Sequence, residues 1–205
     1  MKEKINHFSE QELAIRNEGL VIIKEGLDKL NIDFFFMMGI LLGAIREKDF
    51  IKWDWDVELG SFTEDVIDRV DEIKERFSGT LIDIKLVDKS FNNFKINFFY
   101  KKNKYTLWGL YEKDDFLFRG LYLFPKKYFT YLEEIDFRGK KYKTPNNSKD
   151  FLSYAYGDWE TVKKTTNKKV YLNERMFRKR SFINKMINKK YVKFCRGIYF
   201  ENDDN

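Results

Sequence analysis

Gly39-Ile40-Leu41-Leu42-Gly43-Ala44-Ile45-Arg46-Glu47-Lys48-Asp49-Phe50-Ile51-Lys52-Trp53-Asp54-Trp55-Asp56-Val57-Glu58-Leu59-Gly60 is the stretch on which the reading turns. Its second half alternates. Trp53, Trp55, Val57 and Leu59 point one way, and Asp54, Asp56 and Glu58 the other, which predicts a strand. Two Asp one residue apart on a strand project side by side, with Cα atoms roughly 6.5–7 Å apart. Carboxylates of that reach can converge on one Mg²⁺ or Mn²⁺, ions that prefer hard oxygen ligands. Such an ion neutralises phosphate charge. Asp-x-Asp alone is a weak signal, because it is common on solvated strand faces.

The first half of the stretch strengthens it. Phe34 to Met38 is a short apolar run, read as a buried strand. Gly39 follows, and Leu41 to Ile45 is long enough for two helical turns. A helix start beside an acidic strand offers amide donors and a positive dipole end to phosphate. Gly39 permits close backbone approach, and Gly43 permits tight packing. Arg46 is either a phosphate clamp or a surface charge paired with Glu47 or Asp49; taken alone, the second reading is better.

Outward from this segment, Ser9-Glu10-Gln11-Glu12 has the form of a capping box, and Leu13, Leu20, Ile23, Leu27 and Leu30 follow at helical spacing. Thr63 is the expected cap of a second helix through Phe77, with Val66, Val70, Ile73 and Phe77 inward. From Thr80 to Phe124 the period is mostly two, which predicts antiparallel strands. Ile135 to Tyr142 reads as a hairpin turning near Arg138-Gly139. Asn146-Asn147-Ser148 should cap a helix through about Tyr156. The expected organisation is a catalytic domain over residues 1–160 and a basic, helical extension over 161–205, packed on it.

The chain has 205 residues, of which 21 are Phe, 12 Tyr and 4 Trp, with 35% charged; this argues for a folded domain rather than disorder. One cysteine, Cys195, excludes an internal disulfide framework and fits a reducing compartment. The polar start Met1-Lys2-Glu3-Lys4 and the lack of a long apolar run lead us to expect a cytoplasmic protein. The single histidine, His7, removes His-based triads and two-histidine zinc sites. The net charge of +6 is concentrated late: Arg175, Arg178, Lys179, Arg180 and further cations interleave with apolar residues. That tail either packs its apolar face on the domain, the favoured reading, or lies peripherally on an anionic membrane at its inner face. Specific nucleic-acid binding is not expected, since no such motif accompanies the charge.

The quoted stretch closely resembles the signature of the LicD/fukutin family of phosphotransferases: Gly-Thr-Leu-Leu-Gly-Ala-x-Arg, then Phe-Ile-x-Trp-Asp-x-Asp-[Val/Ile]-[Asp/Glu]. Downstream, Phe124-Pro125, Ile135 to Gly139, Pro145-Asn146-Asn147 and Tyr154 to Trp159 follow the family's order and end in its Tyr-Gly-Asp-Trp element. The resemblance implies an α/β (α+β) polymerase-beta-like nucleotidyltransferase fold, a mixed sheet flanked by helices. It implies transfer of a phospho-alcohol group from a CDP-activated donor to a sugar of a cell-surface glycan. Asp54 and Asp56 carry over as metal ligands and catalytic residues; in the mechanism this implies, one carboxylate, Asp56, could also accept the proton of the attacking hydroxyl. Gly39, Ile40, Gly43, Arg46, Lys95, Tyr156, Asp158 and Trp159 are the expected substrate contacts, with Trp159 equally readable as core.

Two departures stand out. Ile40 replaces the family's Thr, so a hydroxyl near the phosphates is missing. Lys95-Ile96-Asn97-Phe98-Phe99 matches a strand whose Asp completes the metal site in many short members. Asn97, the expected third ligand, brings one neutral oxygen in its place. Glu58 is expected roughly 13 Å from Asp54 by strand rise, a neighbour rather than a replacement. Two other classes remain open: a nucleotidyltransferase moving a nucleoside monophosphate, and a non-catalytic binding relative.

Overall fold

The computed structural model describes residues 7–165 and 167–177. Helix α1 (Glu10–Lys29) begins where the capping box predicts. Ser9 Oγ accepts from the Glu12 amide, and the Glu12 carboxylate accepts from the Ser9 amide at 2.8 Å. Its inner stripe, Leu13, Leu20, Ile23 and Leu27, is fully buried. One charged residue shares that stripe: Arg16 is 1% exposed.

Strand β1 (Phe35–Phe36) is shorter than the apolar run suggests. Met38 takes a positive φ of 46°, which ends the strand and opens helix α2 (Met38–Leu42). One π-helical turn, Gly43–Glu47, continues it. Strand β2 (Asp56–Phe62) leads into α3 (Thr63–Val66) and α4 (Val70–Phe77). The predicted single helix over 63–77 is therefore broken, although Val66, Val70, Ile73 and Phe77 are all buried. At the break, Arg69 leaves the helix pattern and donates Nη2 to the Leu30 carbonyl at 2.7 Å. Thr63 is not the cap: its hydroxyl is buried without a partner and packs against Gly109.

Strands β3 (Asp83–Asp88), β4 (Lys95–Tyr100), β5 (Asn103–Lys113), β6 (Phe116–Arg119), β7 (Tyr122–Pro125), β8 (Leu132–Phe137) and β9 (Lys140–Pro145) follow, then α5 (Ser148–Tyr156) and the short α6 (Lys168–Tyr171). The main sheet runs β3-β4-β5-β2-β1-β9-β8, with β6 and β7 continuing from β5. It is mixed: β2 pairs with β5, and β1 with β9, in parallel, while the remaining pairs are antiparallel. The Arg138-Gly139 hairpin has φ of 46° and 80° at these two residues, as a two-residue turn of the primed kind requires.

Helix α1 covers one face of the sheet closely. A Cβ on Gly19 would overlap the Tyr105 hydroxyl and lie 2.9 Å from Tyr100 Cβ. Gly19→Ala gains helix propensity of about 1 kcal/mol but forces overpacking worth about 1–3 kcal/mol. Tyr100 Cβ is fixed to the strand backbone, so strain wins. We expect a net loss of about 1 kcal/mol or more by urea denaturation; an unchanged midpoint would mean that α1 simply backs away.

The chain beyond residue 160 is not separate from the core up to Phe177. Leu172 and Met176 are buried, the Asn173 amide donates to the Ala155 carbonyl at 2.8 Å, and Phe177 bridges to Tyr122. The predicted basic helix from 178 onward lies outside the described residues. Among the described residues, no helix is long and apolar enough to cross a membrane.

Candidate functional site

Asp54 precedes β2 rather than lying on it. Its amide donates to the Ile51 carbonyl at 3.0 Å in a turn, and its carbonyl accepts from Arg16 Nη1 at 2.7 Å. Alternation therefore starts at Asp56, and Trp55, grouped by the alternation with Val57 and Leu59, is 62% exposed while those two are buried. The bend changes the carboxylate geometry. A Cβ on Gly39 would overlap the Asp54 carboxylate and lie 3.1 Å from Glu58 Oε2. Glu58 Oε2 also accepts the Gly39 amide at 3.1 Å. Asp54 and Glu58 thus flank the same glycine, where a straight strand would hold them far apart. Glycine is required at this point, because a side chain would occupy the space that the carboxylates share.

Burial, and then the negative charge of Asp56, push the Asp54 carboxyl up to about 7, against the pull of Arg16. Arg16 holds this turn, and sequence reasoning did not single it out. Its Nε donates to Asn103 Oδ1 at 3.2 Å, its guanidinium lies 4.3 Å from the Phe8 ring centroid, and its Nη2 is buried without a partner. Burial pulls its pKa down, while Asp54 holds it up. The available signal was its position: residue 16 falls between Leu13 and Leu20 on the apolar stripe, where a charge is rare.

The strand beside β2 is β5. Register pairs Asp56 with Lys104 and Glu58 with Thr106. Lys104 Nζ lies 3.3 Å from Asp56 Oδ2 and 4.1 Å from the Trp55 ring centroid. Asn97 stands one strand further out, paired with Thr106, whose hydroxyl donates to Asn97 Oδ1 at 3.1 Å. Two strand spacings separate it from β2, roughly 9–10 Å. The structure therefore does not bring Asn97 beside Asp54 and Asp56. Lys95, on the same face of β4, pairs with Trp108.

Arg46 is engaged. Its Nε donates to Glu47 Oε1 at 2.8 Å and its Nη1 to the Trp159 carbonyl at 3.0 Å, tying the π-helical turn to the loop after α5. The Glu47 pairing is the surface reading of this residue; the Trp159 bond spans 113 residues and had no local signal. Ile40 is buried, and Gly43 packs on the 49–51 backbone, a Cβ there lying 2.5 Å from the Asp49 carbonyl. Tyr156 is buried; burial first, then Glu58 and Asp54, push its hydroxyl up, which places it beside the acidic group. Asp158 accepts from the Thr161 amide in an exposed turn. Trp159 is partly buried against the core, with Nε1 donating to Ser153 Oγ at 3.0 Å.

Asp54 and Asp56 offer hard oxygen donors, and Gly39 leaves room beside Asp54 and Glu58. Among the described residues, no three Asp, Glu, His or Cys side chains form a ready-made metal cage. An ion held here would take few protein carboxylates and complete its shell with phosphate and water, as Mg²⁺ can.

A mixed sheet thus carries an acidic pair around the start of β2, beside a glycine turn that opens a helix. The family model described as LicD/FKTN/FKRP, nucleotidyltransferase domain, matches residues 31–147, and the chain belongs to that family. Ribitol 5-phosphate transferase FKRP of Mus musculus is 28% identical over 147 residues, and that of Homo sapiens 27% over 145. Each match covers 64% of this chain but only 29% of the relative. Among solved structures, ANT(2")-Ia in complex with adenylyl-2"-tobramycin aligns with a TM-score of 0.42 and 13% identity, over 66% of this chain and 73% of that one. A nucleotidyltransferase-type protein from Thermotoga maritima aligns at 0.43 and 14%, over 71% and 88%.

Proposed function

We propose that this chain is a metal-dependent phosphotransferase that moves a phospho-alcohol group from a CDP-activated donor to a sugar of a cell-surface glycan. The observation that carries this reading is the carboxylate of Asp54 against the Gly39 turn, with Asp56 opening the next strand, within the segment matched by the family. Named relatives that transfer ribitol 5-phosphate support the choice of a polyol-phosphate-like group.

Asp54 and Asp56 would hold Mg²⁺ or Mn²⁺, which when bound neutralises phosphate charge and polarises a phosphoryl oxygen. The residues of the chain do the rest. The Gly39 turn keeps side chains out of the phosphate space. Arg16 holds the Asp54 backbone from behind. Tyr156 is buried with its hydroxyl beside Glu58 and Asp54. Asp56 is assigned the proton of the attacking hydroxyl. Peripheral contact of the tail with an anionic membrane belongs to this reading as the place where such acceptors are met.

A screen of CDP-linked alcohols with Mg²⁺ and Mn²⁺, read by CMP release and phosphate transfer to a glycan acceptor, tests the proposal. CMP release with one donor strongly preferred is the expected result. Pyrophosphate release from nucleoside triphosphates would replace it with nucleotidyl transfer. Donor binding by calorimetry without turnover would make the chain a binding relative.

A further inference from the structure

The acidic pair has a positive charge built against it. Lys104 Nζ is 3.3 Å from Asp56 Oδ2, and the two side chains are only 17% and 11% exposed. The ammonium also lies over the Trp55 ring, 4.1 Å from its centroid. This explains a large aromatic left mostly in solvent: its face is used by the cation rather than by the core. Lys104 is placed by register, directly opposite Asp56 on the neighbouring strand. The next residue on that face of β5 is Thr106, opposite Glu58, so β5 brings no carboxylate to the site.

We propose, resting on the metal reading above, that Lys104 is a resident counter-ion that occupies Asp56 until a nucleoside diphosphate and a divalent cation arrive together. A divalent ion coming alone meets a carboxylate already neutralised and a nearby positive charge, so it binds weakly. A diphosphate arriving with the ion supplies oxygens for the ammonium, which swings from Asp56 to phosphate on its flexible stem. Asp56 is then released to the metal. Lys104 therefore opposes the bare ion and favours the diphosphate, making binding of the two mutually dependent.

The test is Mn²⁺ binding by electron paramagnetic resonance, with and without CDP, on the wild type, Lys104→Met and Asp54→Asn. Lys104→Gln serves as a second uncharged variant should Lys104→Met fold poorly. The wild type is expected to hold Mn²⁺ about ten-fold more tightly when CDP is present. Removing the Lys104 charge is expected to tighten Mn²⁺ alone about ten-fold, to weaken CDP alone by a similar factor, and to abolish most of the coupling. A lysine that merely braces the strand would not move the two ligands in opposite directions. If the Lys104 variants bind Mn²⁺ and CDP as the wild type does, while Asp54→Asn loses Mn²⁺, the Lys104 inference falls and the metal site stands. If the wild type and the Lys104 variants all fail to hold Mn²⁺ even with CDP, the metal reading falls and takes this inference with it.

Discussion

Asp56→Asn is expected to lower the proposed transfer by on the order of 10³-fold while leaving the protein folded. The substitution keeps size and shape, and removes only a charge. Asp56 is partly buried and forms an ion pair with Lys104. Removing its charge also relieves repulsion on Asp54, whose carboxyl burial and the Asp56 charge together push up to about 7. That relief is opposed by the loss of the Lys104 pairing, so the unfolding midpoint should shift little in urea denaturation, even as turnover disappears. A loss of activity with stability nearly unchanged marks a charge kept for function. CMP release from the preferred donor, measured beside the unfolding midpoint, decides the matter. Turnover within ten-fold of wild type would remove Asp56 from the mechanism.

Arg16→Ala is expected to destabilise the protein by about 3 kcal/mol. The guanidinium bonds the Asp54 carbonyl and Asn103 Oδ1 and packs on Phe8. Truncation leaves two buried acceptors short of a donor and opens a space between Phe8 and Phe50. Each orphaned acceptor costs about 1–3 kcal/mol, and the lost packing adds to it. Against this stands the burial of the charge itself, including an Nη2 without a partner, which limits the net contribution of the native residue. Arg16→Lys keeps a charge but cannot make both bonds at once, so it should fall between wild type and alanine. Activity should drop in both variants, because Arg16 secures the turn that presents Asp54. A shift in unfolding free energy below about 1 kcal/mol for alanine would mean that water replaces the guanidinium at little cost.

Much of the secondary structure was readable because local chemistry is strong. The Ser9–Glu12 capping box, the α1 stripe, the Arg138-Gly139 turn and the period-two strands all depend on neighbours within a few residues. Errors arose where one partner came from elsewhere in the chain. Thr63 looked like a cap but faces Gly109 in the core. Arg69 breaks the following helix to reach Leu30. Strict alternation through Trp53 to Leu59 implied a straight strand, yet the Ile51–Asp54 turn and Arg16 bend the chain ahead of β2.

The same division holds at the site. Gly39, Asp54 and Asp56, and a family pattern around them, stand in the sequence by itself, because a glycine turn and a paired carboxylate are local motifs. The residues around them were decided only by tertiary structure. Glu58 meets Asp54 at Gly39 because the backbone bends between them. Lys104 faces Asp56, and Asn97 does not, because β5 inserts between β4 and β2 in the sheet order. Arg16 reaches Asp54 across 38 residues because α1 packs against the sheet. Strand order and helix docking follow from burying the whole apolar surface at once, which no window of sequence contains. The sequence thus named the acidic pair, and the fold chose the charges that govern it.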